Sequence, residues 1–139
     1  MADNAKTPRP VYRNIHITDI VSYRLPPAGI VSILHRISGA VLFLLMPFIV
    51  WMFDTSVSSE ISFGEFTSVF RGDAGWFFKL IALGLIWAYL HHFVAGVRHL
   101  IMDATHSVSK EQGHSTAIVT LALSTGLTVV LGAKLFGLF

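Results

Sequence analysis

The sequence has no cysteine and little charge. Without thiols the chain can form no disulfide, ligate no iron–sulfur cluster, attach no haem through a C-x-x-C-H motif and use no cysteine nucleophile. Only 13% of its 139 residues are charged, whereas a soluble domain carries about 25%. Ten Lys and Arg against eight Asp and Glu do not indicate nucleic-acid binding. A hydrophobic fraction of 53% excludes a disordered chain.

Long apolar segments predict an all-α membrane protein. A bilayer core about 30 Å thick requires about 20 apolar residues in a helix. Three segments meet that length: 28–53, 76–101 and 116–138. We therefore expect a polar leader (1–27) followed by a three-helix transmembrane domain (28–139), with a kink at Pro47. The mixed polarity of residues 61–70 predicts a segment that lies along the interface.

The positions of Lys and Arg predict a cytoplasmic amino terminus. Five of them precede or open the first segment: Lys6, Arg9, Arg13, Arg24 and Arg36. The loop after the second segment adds Arg98 and Lys110, whereas the opposite side has only Arg71 between its segments. The leader lacks the pattern of a mitochondrial presequence, which favours a bacterial inner membrane over a mitochondrial one.

One face of the second segment suits a haem. At about 100° per residue, four residues share a stripe: His92, Gly96, His99 and Asp103. A neutral imidazole can ligate haem iron, and a glycine one turn along leaves room for a flat macrocycle. His99 lies about 10.5 Å further along the helix, so it could meet a propionate but not the same iron. Three alternatives remain. His92 could only form a hydrogen bond to a neighbouring helix, or His91 could be the ligand in its place. Gly96 could only permit close helix packing.

The start of the first segment suits a quinone. Ser32, Arg36 and Gly39 share one helical face, with His35 about 60° away. A hydroxyl, a guanidinium and an imidazole there would offer hydrogen bonds to quinone carbonyls near a supply of cytoplasmic protons. The alternative is that Arg36 and His35 only extend to the interface and help to set the topology.

Asp103, at the predicted cytoplasmic end of the second segment, has two interpretations. A carboxylate at the membrane edge could relay protons toward a quinone. It could equally have a structural role, as a partner of Arg98 or as a cap of the helix end. The sequence leaves both interpretations open.

Two motifs carry a resemblance to a known family. They are Ser32-x-x-His35-Arg36-x-Ser38-Gly39, preceded by Arg9-Pro10, and His92-x-x-x-Gly96-Val97-Arg98-His99-Leu100-x-Met102-Asp103. Together they resemble the cytochrome b556 subunits of succinate dehydrogenase, the larger membrane anchors of respiratory complex II. The first loop and the third segment match that family only in hydropathy. Residues 9–32 are a few residues longer than the family's pattern.

The resemblance implies cofactors and partners. His92 would be an axial ligand of haem b, and the second axial histidine would come from a smaller anchor subunit. The haem propionates would lie near His35, Arg36 and His99. Ser32 and Arg36 would contact the ubiquinone head group. A flavoprotein subunit and an iron–sulfur subunit would oxidise succinate and pass electrons to the quinone.

Two rival functions remain open. One is an anchor of a fumarate reductase-type complex, which shares the architecture and would be distinguished by its use of menaquinone. The other is a haem-free membrane scaffold whose histidines only pack. A transporter is disfavoured because the three segments show no repeat and no discontinuous helix pair.

Overall fold

The chain folds into helices. The structure, a computed structural model, describes residues 16–106 and 109–139, and in these ranges every regular element is helical. The elements are α1 (Ile17–Ser22), α2 (Pro27–Ser58), α3 (Glu60–Ser68), α4 (Gly75–Thr105) and α5 (Lys110–Leu135). Helices α2, α4 and α5 are long and apolar enough to cross a membrane. The predicted all-α fold with three candidate membrane spans is thereby confirmed. The predicted cytoplasmic amino terminus stays a prediction, and Lys6, Arg9 and Arg13, on which it partly rests, lie outside the described residues.

The long helices extend beyond the apolar segments. Helix α2 continues to Ser58, and α5 already begins at Lys110. Helix ends follow capping groups rather than hydropathy, because the first backbone N–H groups need acceptors. The Ser109 side chain accepts from the backbone N–H of Gln112, and the Gln112 side chain accepts in return from Ser109. This capping box therefore starts α5 before its apolar run.

The short connection after α2 is also helical. Helix α3 begins with a capping box between Ser59 and Ser62 and covers most of the predicted interfacial segment. Pro27 opens α2, where a missing N–H removes no helical bond. Pro47 lies inside α2, and the helix continues through it. The division into a leader and a transmembrane domain stays a prediction, because residues 1–15 are not described.

The three long helices all contact one another, and α4 packs against both α2 and α5. Where they meet, the apolar core is small and consists of Val31, Ala95 and Ala117. The inner face of α5 is lined by small residues: Ala117, Thr120, Ser124, Thr128 and Gly132. Membrane helices gain little from apolar burial between them, so close approach over small side chains supplies the packing energy. Consistent with this, a Cβ at Gly132 would lie 2.8 Å from Leu83 Cδ1.

This packing predicts that Ala117→Leu lowers the thermal stability of the assembled protein. Ala117 is fully buried, so three added carbon atoms must separate the helices, at about 1–3 kcal/mol. Ala122→Leu is the matched control, since Ala122 lies on the exposed face of the same helix. Thermal unfolding in detergent measures both variants, and equal midpoints for the two would contradict the packing described here.

Candidate functional site

Three predicted site histidines meet where α2 contacts α4. The His35 ring stacks on the His92 ring, with centroids 4.2 Å apart and planes 13° from parallel. The His99 ring centroid lies 5.2 Å from that of His35. All three side chains are half-buried. Among the described residues no group of three or more His, Cys, Asp or Glu side chains is arranged to hold one metal ion.

The His92 ring is oriented by the main chain of α2. Its Nδ1 atom lies 3.1 Å from the carbonyl oxygen of His35. A carbonyl only accepts hydrogen bonds, so Nδ1 carries the proton and Nε2 keeps its lone pair. Within residues 16–106 and 109–139, no hydrogen bond is made to Nε2. Metal-bound histidines commonly donate their other ring N–H to a carbonyl in this way, so the arrangement fits the predicted haem ligand.

Gly96 lies beside His35. A Cβ added at Gly96 would be 3.7 Å from His35 Nε2, which is an ordinary contact distance. Its predicted role, to leave room for a macrocycle, stays a prediction. On the facing helix a Cβ added at Gly39 would lie 2.7 Å from His92 Cε1, a proximity that the helical stripe did not reveal.

The predicted quinone residues lie at one end of α2. Ser32 is half-buried, and Arg36, one turn later on the same face, is exposed. Asp103 is exposed near the end of α4, and the described part of the chain contains no side-chain ion pair to it. Helix α4 is capped by His106, in a left-handed conformation with φ 50°. Among the described residues Asp103 thus shows neither the pair with Arg98 nor a capping bond, and both its structural role and its proton role stay predictions.

Unlike His92, which contacts α2, His91 forms its side-chain hydrogen bond to α5. It is fully buried, its ring stacks on Trp87, and its Nδ1 atom lies 3.1 Å from the Ser124 hydroxyl. Its Nε2 is the one buried side-chain nitrogen or oxygen atom without a hydrogen-bond partner among the described residues. This enclosure between helices favours His92 over His91 as the ligand.

Arg98 also binds α5. Its side chain is only 8% exposed. Its Nε donates to Thr116 Oγ1 at 3.0 Å, and its Nη2 donates to the Gly113 carbonyl at 3.1 Å. We call the set His91, Arg98, Thr116 and Ser124 the polar seam.

Sequence reasoning missed the polar seam, although a matching spacing was available. His91 and Arg98 are seven residues apart on α4, and Thr116 and Ser124 are eight apart on α5. In antiparallel neighbours these separations correspond to about 10.5 and 12 Å along the helices. The two polar pairs therefore fall opposite each other.

Comparisons with known proteins indicate the family. Residues 7–131 match the family described as "Succinate dehydrogenase/Fumarate reductase transmembrane subunit". The chain is 34% identical to the succinate dehydrogenase cytochrome b556 subunit of Paracoccus denitrificans, over 94% of each chain. It is 35% identical to the protein of that name from Coxiella burnetii, over 82% of this chain and 90% of the relative. It is also 31% identical to the succinate dehydrogenase cytochrome b560 subunit of Reclinomonas americana, over 78% of this chain and 76% of the relative.

The polar seam predicts that Ser124→Ala destabilises the protein. The substitution leaves His91 buried without its Nδ1 partner, at about 1–3 kcal/mol. Ser115→Ala is the matched control, because Ser115 is exposed on the same helix. A lower unfolding midpoint is expected for Ser124→Ala alone, and an unchanged midpoint would show that this bond contributes nothing to the packing of α4 on α5.

Proposed function

The chain belongs to the succinate dehydrogenase/fumarate reductase transmembrane subunit family, and on that premise we propose that it supplies half of a haem b site and part of a ubiquinone site. One observation carries the haem proposal. His92 donates through Nδ1 to a backbone carbonyl, which leaves Nε2 as an electron-pair donor. The chain does not catalyse succinate oxidation by itself; it acts as one subunit of a succinate:quinone oxidoreductase.

His92 would hold the haem through Nε2. A smaller anchor subunit packed against the same face would supply the second histidine that holds the haem. When bound, haem b supplies a one-electron redox centre within the membrane. His35 and His99 flank His92 and, with Arg36, would donate hydrogen bonds or positive charge to the propionates.

Ser32 and Arg36 would bind the quinone. The Ser32 hydroxyl can donate a hydrogen bond to a quinone carbonyl oxygen. The Arg36 guanidinium would stabilise the negative charge that develops as the quinone accepts electrons, an effect that is strong where water is excluded. In this chain Ser32 is only half-buried and Arg36 is exposed, so the iron–sulfur subunit and the small anchor would complete the pocket. Asp103 would relay protons at the same edge.

The remaining subunits supply the chemistry that this chain lacks. Without cysteine the chain has no thiolate ligands for iron–sulfur clusters, so electrons must reach the quinone from an iron–sulfur subunit fed by a flavoprotein subunit. We favour succinate oxidation over fumarate reduction because the relatives at 31–35% identity are named as succinate dehydrogenase subunits. Two of them are bacterial, which supports a bacterial inner membrane. The positions of Lys and Arg support an amino terminus in the cytoplasm.

The haem proposal predicts that His92→Leu removes or alters the b-type absorbance of the purified complex, because leucine cannot ligate iron. A reduced-minus-oxidised optical spectrum measures the change. His114→Leu is the control, since His114 is exposed at the start of α5 and should leave the spectrum unchanged. A wild-type complex with intact partners and no b-type band would instead favour a haem-free scaffold.

The quinone proposal predicts a selective loss in Ser32→Ala and in Arg36→Ala. Loss of the Ser32 hydrogen bond, about 0.5–1.5 kcal/mol, corresponds to about 2- to 13-fold slower quinone reduction. Loss of the charge-assisted bond of Arg36, about 1.5–3 kcal/mol, corresponds to about 13- to 160-fold slower reduction. Succinate oxidation by an artificial dye should persist, because it does not pass through the quinone site. Ser115→Ala and Arg71→Ala serve as controls. Wild-type quinone reduction in both site variants would refute the assignment.

A further inference from the structure

The His92 ring occupies space that only a glycine leaves on the facing helix. A Cβ placed on Gly39 would lie 2.7 Å from His92 Cε1 and 3.1 Å from its Nδ1. The first separation is shorter than real Cβ contacts, so any other residue at position 39 would push the ring away. Among the described glycines, Gly39 alone has the His92 ring within 4 Å. The position of the ring therefore depends on this residue.

The same turn of α2 supplies the acceptor that orients the ring. The His35 carbonyl oxygen receives the Nδ1 proton of His92 at 3.1 Å and the Ser38 hydroxyl proton at 3.0 Å. Ser38 is fully buried, and its Oγ lies 3.5 Å from His92 Nδ1. Two side-chain donors thus compete for one oxygen. In an α-helix the backbone N–H four residues later, here that of Gly39, donates to the same oxygen.

We propose that His35, Ser38 and Gly39 form a positioning turn, with Gly39 setting where the His92 ring lies and the His35 carbonyl setting how strongly it donates electrons to a bound metal. This inference rests on the proposed haem function and extends it to residues outside the ligand set. A stronger bond from Nδ1–H increases the electron density on Nε2, which favours the ferric over the ferrous state. Ser38 weakens that bond because it shares the acceptor.

The first test is Gly39→Ala in the complete complex, purified with its partner subunits. The added methyl group displaces the His92 ring, so we expect a shifted ferric electron paramagnetic resonance signal together with a changed midpoint potential or a loss of haem per flavin. Gly126→Ala is the matched control, because it makes the same change in a membrane helix where a Cβ would meet nothing within 4 Å. Wild-type haem content, signal and potential in Gly39→Ala would overturn the proposal.

The second test is Ser38→Ala, which adds no atoms and should assemble even where Gly39→Ala does not. Removal of the competing donor strengthens the bond from His92 to the His35 carbonyl. We expect haem to be retained and its midpoint potential to fall, with Ser115→Ala as the control. An unchanged or raised potential would overturn the tuning role, whatever the result at Gly39.

These tests separate the inference from the proposed function. If wild-type complex contains no haem, or His92→Leu retains a native haem spectrum, the haem function fails and the inference falls with it. The inference alone fails if His92→Leu loses the haem optical spectrum while the other two variants behave as wild type. In that outcome Ser38→Ala and assembled Gly39→Ala would keep the wild-type electron paramagnetic resonance signal and midpoint potential of the haem. A Gly39→Ala variant that assembles in lower yield but has a native signal would show that Gly39 serves packing alone.

Discussion

Hydrogen bonds made by polar side chains of α4 determine how the three long helices fit together. Inside a bilayer an unpaired polar group has no water to bond, which favours partners within the protein. Arg98 and His91 find theirs on α5, at Thr116 and Ser124, whereas His92 finds its partner on α2. Since the apolar contacts between helices consist mostly of small side chains, these directional bonds set which faces meet and at what height.

The two adjacent histidines show how one helix serves two purposes. Successive residues on a helix point about 100° apart, so His91 and His92 face different neighbours. His91 is enclosed and binds a hydroxyl of α5, and it helps to fix the packing. His92 is half-buried and oriented by a carbonyl, which leaves one ring nitrogen for a ligand. The polar seam fixes the orientation of α4 about its own axis, and in this orientation His92 faces α2.

Sequence reasoning could predict the features that depend on a single helix. Hydropathy predicted three helices long and apolar enough to cross a membrane, the motifs indicated the family, and both are confirmed. Helix ends were missed because capping by Ser109, rather than hydropathy, determines where α5 starts. The partner of His92 could not be predicted, because it is a main-chain oxygen 57 residues away, and every residue has such an oxygen. Gly39 and the polar seam were missed because their roles arise only when two helices are placed side by side, although the spacing of the seam residues is visible in the sequence.

The contrast in burial among the polar residues argues that the chain is one part of a larger assembly. Arg98 and His91, whose hydrogen bonds are made within the chain, are buried. His35, His92 and His99 cluster equally closely but remain half-buried, and Arg36 beside them is exposed. Such groups are costly against lipid, so they face either a protein interior or a polar ligand. The face that carries them is therefore the one on which the partner anchor and the haem of the proposed function would lie.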